Sequence, residues 1–397
     1  MIIGINKVQS IFSVILFLFT ACQQSDRYDF VIENVRLFNG EKDMGIVNVA
    51  ITADTIAAIS DKPLNSDSVI YGEGKYLIPG LVNAHVHLLS KDNMMKSYEH
   101  GILANLNMHT GLEDRELKWK KISRDSAGYA ILYGAGSAAT VPNGHPTQYS
   151  PGMETINDTM SVQQWVDNRI AHGVDYIKII RENHPLFQYP PQPTISYEQI
   201  KEIIDYTRSK GMMVVVHISK AVDMAEIAKF KPDGFVHKWD YKNESKLTDQ
   251  QWNTIRESGC FVVPTAILIP KGNEILPDGF MKEWAQSHFI TEEQNIEVIK
   301  KLHEHGVMII AGTDAPNAGL NYGDDILREL DLYKQAGMSN IEVLRTATGN
   351  TCKAFSIDVG MLKAGSKANM VLLNSNPIDN LVALRDINTI WKNGKTK

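Results

Sequence analysis

Six side chains able to bind or serve a metal ion fall, in order, at or near the ends of apolar runs: His85, His87, Lys178, His217, His237 and Asp314. The first two close the run Leu77-Ile78-Pro79-Gly80-Leu81-Val82-Asn83-Ala84-His85-Val86-His87. Strand side chains alternate faces with a period of two, so His85 and His87 point the same way. Residues so far apart in sequence share one site only if their strand ends converge. A barrel of parallel strands does this, because the C-terminal ends of all its strands meet at one mouth.

The rest of the chain supports that architecture. Its 397 residues, 43% of them hydrophobic, are ample for a large core. Residues 29–79 read as short strands such as Val35-Arg36-Leu37-Phe38 and Val47-Asn48-Val49-Ala50-Ile51, with turns at Asn39-Gly40 and Gly72-Glu73-Gly74. From Gly80 onward, apolar runs at 81–87, 102–108, 129–134, 174–180, 212–218, 234–237, 260–265 and 307–313 alternate with amphipathic stretches. Continuous apolar runs suit parallel strands buried on both faces. Ser196 and Thr248 stand where helix N-caps belong, and Ser258-Gly259 and His305-Gly306 where helices stop. The predicted fold is α/β: a (β/α)8 TIM barrel over 80–355, with a small β-sandwich built from 29–79 and 356–397. The second part of the sandwich is expected to pair 359–362 with 368–373 and to end in a strand at 387–392. Long loops at 137–158 and 183–194 follow strands and so belong on the active-site face.

Residues 1–21 stand apart from this fold. Lys7 precedes an apolar stretch from Ile11 to Phe19, and Thr20-Ala21 leads to Cys22. This is a signal-peptide pattern, too short to span a bilayer as a stable helix. It resembles a bacterial lipoprotein signal, which implies a lipidated Cys22 and a polar tether over 22–28. Gln23 after the cysteine points to the cell envelope, at the outer membrane or in the periplasm. The membrane is then a partner only through the lipid. A net charge of −6 with no basic block excludes nucleic acid. The expected partner is a small-molecule substrate, and a homo-oligomer is compatible with the sequence. Cys260 and Cys352, far apart in apolar segments, read as buried free thiols.

Neutral imidazole and carboxylate suit Zn²⁺ and similar divalent ions. Four histidines and one aspartate suffice for two ions if something bridges them. An ammonium cannot, having no lone pair. In Tyr176-Ile177-Lys178-Ile179-Ile180, however, burial disfavours the charged lysine. A neutral amine can add CO2 to give an anionic, bidentate carbamate.

The run ending in His85-Val86-His87, the segment Gly173-Val174-Asp175-Tyr176-Ile177-Lys178, and Ala311-Gly312-Thr313-Asp314-Ala315 resemble the metal-dependent amidohydrolase superfamily. So do Ala347-Thr348-Gly349-Asn350 and the stretch from Gly360 to Leu373. The nearer match is the imidazolonepropionase/prolidase-like branch, over residues 29–397. The resemblance implies two divalent ions, with His85, His87 and Asp314 on the first and His217 and His237 on the second. Carboxylated Lys178 would bridge both. It implies hydrolysis of an amide-, peptide- or cyclic-amide-type C–N bond by metal-activated hydroxide, with Asp314 as general base and then acid. An Xaa-Pro-type dipeptidase is one such enzyme. His145, in Asn143-Gly144-His145-Pro146, matches a Gly-His that contacts the substrate carbonyl or its oxyanion, and is the second catalytic candidate.

Ile218-Ser219-Lys220 and Val236-His237-Lys238-Trp239 depart from the branch, where an aromatic residue and a Glu-His-Gly are usual. Dipeptide specificity therefore does not follow. Arg181 and Lys220 are candidate anchors for a substrate carboxylate. His109 falls at the mouth without a matching motif. His303 and His305 form a second HxH pair, but two residues apart on a helix do not share a face. Two other functions stay open: a deaminase acting on a heterocycle, and an inactive ligand-binding lipoprotein. Mononuclear deaminases of this fold lack the strand-4 lysine and carry a glutamate near the strand-5 ligand, so Lys178 and Ser219 weigh against the first. The intact set of six weighs against the second.

Overall fold

The computed structural model describes residues 27–182, 192–242 and 246–397. The leader, Cys22 and most of the tether lie outside the described residues, as does most of the loop at 183–194. Among the described residues no helix is long and apolar enough to cross a membrane.

β1 (Phe30–Phe38), β2 (Asp43–Thr52) and β3 (Thr55–Ser60) form an antiparallel meander. β4 (Val69–Tyr71) and β5 (Tyr76–Pro79) run parallel to β1 along its other edge. Gly80 then carries the chain directly into β6 (Leu81–Val86), the first barrel strand.

The barrel follows as α1 (Lys91–Glu99), β7 (Ile102–Asn107), α2 (Glu113–Asp125), β8 (Ile131–Gly134), α3 (Val162–Ala171), β9 (Ile177–Arg181) and α4 (Tyr197–Ser209). It continues with β10 (Val214–Ile218), α5 (Ala221–Ala228), β11 (Gly234–Val236), α6 (Asp249–Ser258) and β12 (Phe261–Val263). β6, β7 and β8 pair in parallel, and so do β9 to β12. Ser161, Ser196, Thr248 and Thr291 each cap a helix in a reciprocal box with a glutamine three residues on. The motif satisfies otherwise orphaned amides, which is why Ser/Thr-x-x-Gln marks these helix starts. Gly259, at φ 74°, ends α6 in the left-handed conformation.

The ring closes at two irregular seams. Between β8 and β9, Asp175 N–H donates to Gly134 O at 2.9 Å and Ala139 N–H to Lys178 O at 2.8 Å. The expected eighth strand, 307–313, is not a regular strand. It is tied to β12 by Ile310 N–H to Val262 O (2.9 Å), and to β6 by Ala84 N–H to Ala311 O (2.9 Å) and Asp314 N–H to His85 O (2.8 Å). The physical reason is crowding and backbone reversal. A Cβ on Gly312 would lie 2.6 Å from Val263 Cγ1 and 2.8 Å from His85 N, and Asp314 turns left-handed at φ 68°.

After β12 come α7 (Leu268–Ile275), α8 (Phe280–His288), α9 (Glu292–Glu304), α10 (Asp325–Gln335), α11 (Asn340–Thr346) and α12 (Gly349–Phe355). β13 (Met370–Leu373) and β14 (Ile387–Trp391) extend the first sheet beyond β5, giving the order β3-β2-β1-β5-β13-β14. The sheet encloses its own core: Ile32, Val49 and Ile56 share one apolar cluster with Leu77, Met370 and Trp391. The expected hairpin of 359–362 with 368–373 does not form. Gly360 turns at φ 105°, and Leu362 N–H donates to Asn39 O instead, so β13 takes β5 and β14 as partners. Cys260 is buried and Cys352 only partly so; both are free thiols.

Gly312 predicts a measurable cost. Gly312→Ala should lower stability by about 1–3 kcal/mol through overpacking against backbone that cannot move aside, read as a lower urea midpoint. An unchanged midpoint would contradict the close approach.

Candidate metal centre

β6 and the seam that replaces the eighth strand build the first part of the site. His85 is fully buried at the end of β6. Its Nε2 lies 3.1 Å from Asp314 Oδ1, and His87 Nε2 lies 2.9 Å from the same oxygen. His85 and Asp314 Oδ1 nevertheless have no hydrogen-bond partner, so these atoms crowd one another without bonding. One ligand atom from each of His85, His87 and Asp314 falls within 4.8 Å of the others. Buried, unbonded lone pairs aimed at a shared point fit a divalent cation. Asp314 Oδ2 instead accepts from Asn317 Nδ2 at 2.9 Å, which fixes the carboxylate plane.

Five imidazoles form an unbroken row across the mouth. Ring centroids are 5.3 Å apart for His87 and His85, 4.6 Å for His85 and His237, 4.4 Å for His237 and His217, and 5.8 Å for His217 and His145. Their hydrogen bonds select tautomers. His237 Nδ1 lies 2.7 Å from Thr265 Oγ1, whose own hydroxyl donates to Pro264 O. His237 therefore donates from Nδ1 and keeps the Nε2 lone pair free. His87 does the same toward His109 O at 3.4 Å. His217 Nε2 faces Glu182 Oε2 at 3.5 Å, which leaves Nδ1 as its available lone pair. Such outer partners orient metal-binding histidines. His237 is left-handed at φ 71°, as is Asp314, and strain of this kind costs on the order of 1–3 kcal/mol per residue.

Lys178, in β9, is fully buried, and burial pushes its amine down to about 7 despite the opposing pull of Asp314. Burial likewise pushes His85 and His217 down to about 3 and His237 well below the ordinary histidine value. Burial would raise the Asp314 carboxyl, but His85 and His87 outweigh it and hold it well below the usual carboxylate range. At neutral pH His85, His217 and His237 are thus neutral imidazoles, Asp314 is an ionised carboxylate, and a substantial share of Lys178 is neutral amine. This is the protonation state a metal site requires.

Lys178, His87, His217, His237, His145 and Asp314 all border one cavity of about 900 Å³, as measured among the described residues. His145 Nδ1 accepts from Gln148 Nε2 at 2.7 Å, so its Nε2 carries the proton and is a donor. His109 also borders the cavity, held by Ala138 N–H at Nδ1 (3.1 Å) and Ser150 Oγ at Nε2 (2.9 Å). Two sequence candidates are elsewhere. Arg181 binds Asp223 Oδ1 at 2.9 Å and lies over the Tyr197 ring, because its side chain packs outward against α4 and α5. Lys220 is the residue preceding α5 and does not border the cavity. Among the described residues neither borders the cavity. His305 stacks on Trp252 and His303 faces Glu342, both away from the mouth. Sequence reasoning missed Thr265, Asn317 and Glu182. Glu182 follows Lys178 by four positions, but nothing in the sequence joins Thr265 to His237 or Asn317 to Asp314.

An amidohydrolase-family model matches residues 76–397. The chain belongs to the amidohydrolase family. It is 23% identical to a 5-methylthioadenosine/S-adenosylhomocysteine deaminase of Caldanaerobacter subterraneus subsp. tengcongensis, with 92% of each chain covered. Its fold matches a Xaa-Pro dipeptidase crystallised with methionine in the active site, at TM-score 0.78 and 20% identity, covering 93% of this chain and 99% of that one. It also matches the ochratoxinase of A. niger, at TM-score 0.74 and 18% identity, covering 92% and 95%. The family and these relatives mark the chain as a hydrolase acting on carbon–nitrogen bonds, on a TIM barrel with a small sheet domain.

The His237–Thr265 bond yields a prediction for this amidohydrolase. Thr265→Val keeps the shape and removes the acceptor, and should weaken zinc binding by about 10- to 100-fold in chelator competition. Thr265→Ser should retain most of it. Equal affinity in all three proteins would contradict the tautomer assignment.

Proposed function

We propose that this protein hydrolyses an amide-type C–N bond with the help of two divalent cations, zinc by donor chemistry, bridged by a carboxylated Lys178. The observation that carries the reading is the buried amine of Lys178 at the same cavity as His217, His237 and Asp314, with its pKa pushed down to about 7 by burial. A lysine in water keeps its charge, whereas burial favours the neutral amine of Lys178, the form that can take up CO2. His85, His87 and Asp314 would hold the first cation, and His217 and His237 the second. Such cations supply Lewis acidity and make a hydroxide nucleophile accessible near neutral pH.

The protein's own groups carry the proton and orient the substrate. Asp314 Oδ1, free of hydrogen bonds, is placed to take the nucleophile's proton and pass it to the leaving amine. Asn317 holds the other oxygen and keeps that lone pair aimed into the site. His145 Nε2–H would donate to the substrate carbonyl oxygen as charge gathers there. The Xaa-Pro dipeptidase among the fold matches favours a peptide-like amide. The deaminase relative supports a second reading, deamination of a heterocycle. Lys178 favours the first. The leader pattern adds a location: a lipid-anchored protein of the bacterial envelope, held through Cys22. Cys22→Ala should shift the protein from the membrane to the soluble fraction and abolish labelling by an alkynyl fatty acid.

The chemistry is tested on protein reconstituted with zinc and ¹³C-bicarbonate. Two metal equivalents, a carbamate carbon signal lost in Lys178→Ala, and turnover of N-acyl amino acids or dipeptides are expected. Asp314→Asn should lower kcat by about 10²- to 10⁴-fold. Ammonia release from an adenosine analogue with one metal bound and no carbamate signal would sink the reading in favour of deamination.

A further inference from the structure

Arg115, near the start of α2, borders the same cavity. Aside from Lys178, it is the only Lys or Arg to do so among the described residues. Its guanidinium lies 4.6 Å from the centre of the Trp119 ring, which holds it by one face. Its Nε is buried and has no hydrogen-bond partner. The acidic neighbours on the same helix are engaged elsewhere or exposed. Glu113 is engaged by Ser137 and Arg169, and Glu116 accepts from Asn107 and Gly136 N–H, while exposed Asp114 does not border the cavity. The remaining acids bordering the cavity are also engaged. Asp240 pairs with Lys238, Glu182 with Ser219 and His217, and Asp314 belongs to the metal centre. An arginine held by one face and lacking a carboxylate partner among the described residues leaves its forked donors for a ligand.

Apolar side chains from a more distant part of the ring also border the cavity. Leu268, Ile275 and Leu276 of the α7 region and Phe289 after α8 border it. The α7–α8 region follows β12, and Arg115 follows β7. Between these two strands around the ring stand the eighth-strand seam and β6, the elements that carry Asp314, His85 and His87. Arg115 and these apolar side chains are thus carried by parts of the ring on either side of the seam that holds His85, His87 and Asp314.

We propose that Arg115 binds a substrate carboxylate, so that the substrate is an amide with a carboxylate on one side of the scissile bond and a bulky apolar group on the other. This rests on the amide-hydrolase reading and assigns to Arg115 the role that the sequence suggested for Arg181 or Lys220.

The test uses N-benzoyl-L-proline and N-benzoylpyrrolidine, which share the amide and the apolar acyl group and differ only in the carboxylate. Calorimetric titration of zinc-loaded protein should show about tenfold tighter binding of the carboxylate compound, as one desolvated charge-assisted contact provides. In Arg115→Gln the advantage should fall below about threefold, and in Arg115→Lys it should be intermediate. Thermal melting of each variant checks that the fold is intact. Equal binding of the two compounds by the unmodified protein, no binding of either, or an advantage that survives Arg115→Gln in a folded variant would overturn the proposal. Carboxylate-selective binding without turnover would leave Arg115 in place and sink the hydrolase reading instead.

Discussion

The seam between β6 and the irregular eighth segment is the constraint on which the site depends. Asp314 N–H donates to His85 O, and His87 N–H donates to Ala315 O, so the backbones that carry the three donors are locked together. Asn83 reinforces the lock, donating to Thr313 Oγ1 at 2.9 Å and accepting from Thr313 N–H at 3.1 Å. Tyr322 adds a hydrogen bond to His87 O at 2.7 Å. With β6 and the irregular segment pinned together, Asp314 can hold a left-handed conformation that would relax in an isolated loop. The absence of a Cβ at Gly312 lets the segments come this close.

What the seam assembles is unfavourable on its own. A carboxylate, a row of imidazoles and an amine are taken out of water together, and burying such groups without full partners is costly. Neutral imidazoles and a lysine whose pKa burial lowers to about 7 reduce the cost, and among the described residues His85 and one oxygen of Asp314 have no hydrogen-bond partners. The fold supplies the stability that tolerates this arrangement, through a large core of the barrel and its helices that also takes in Ile78 and Val371 of the sheet, and through two smaller apolar clusters, one around Val82, Val215 and Phe261 and one inside the sheet. Strain and unsatisfied polarity are concentrated where cations would relieve them.

Much of the architecture was legible in the sequence because its signals are local. Apolar runs announced seven of the eight barrel strands, and Ser196 and Thr248 announced their helices through the capping box. The two failures share one cause. Segments 307–313 and 359–362 carry strand-like composition, but contacts distant in sequence, with Val262 and His85 in one case and Asn39 in the other, bend them out of regular ladders. Local propensity cannot register such contacts.

The sequence by itself determined which side chains could meet at the mouth, since strand order and a two-residue period place ligand-type residues at converging strand ends. Only the tertiary structure decided which of them are tied up elsewhere. Arg181 and Arg115 look alike as isolated letters, yet one is neutralised by Asp223 between α4 and α5, and the other borders the cavity without an acidic partner. Likewise, Thr265 selects the lone pair that His237 presents from 28 positions away. Charge neutralisation and tautomer choice depend on distances of a few ångströms between chain segments, and such distances exist only once the chain has folded.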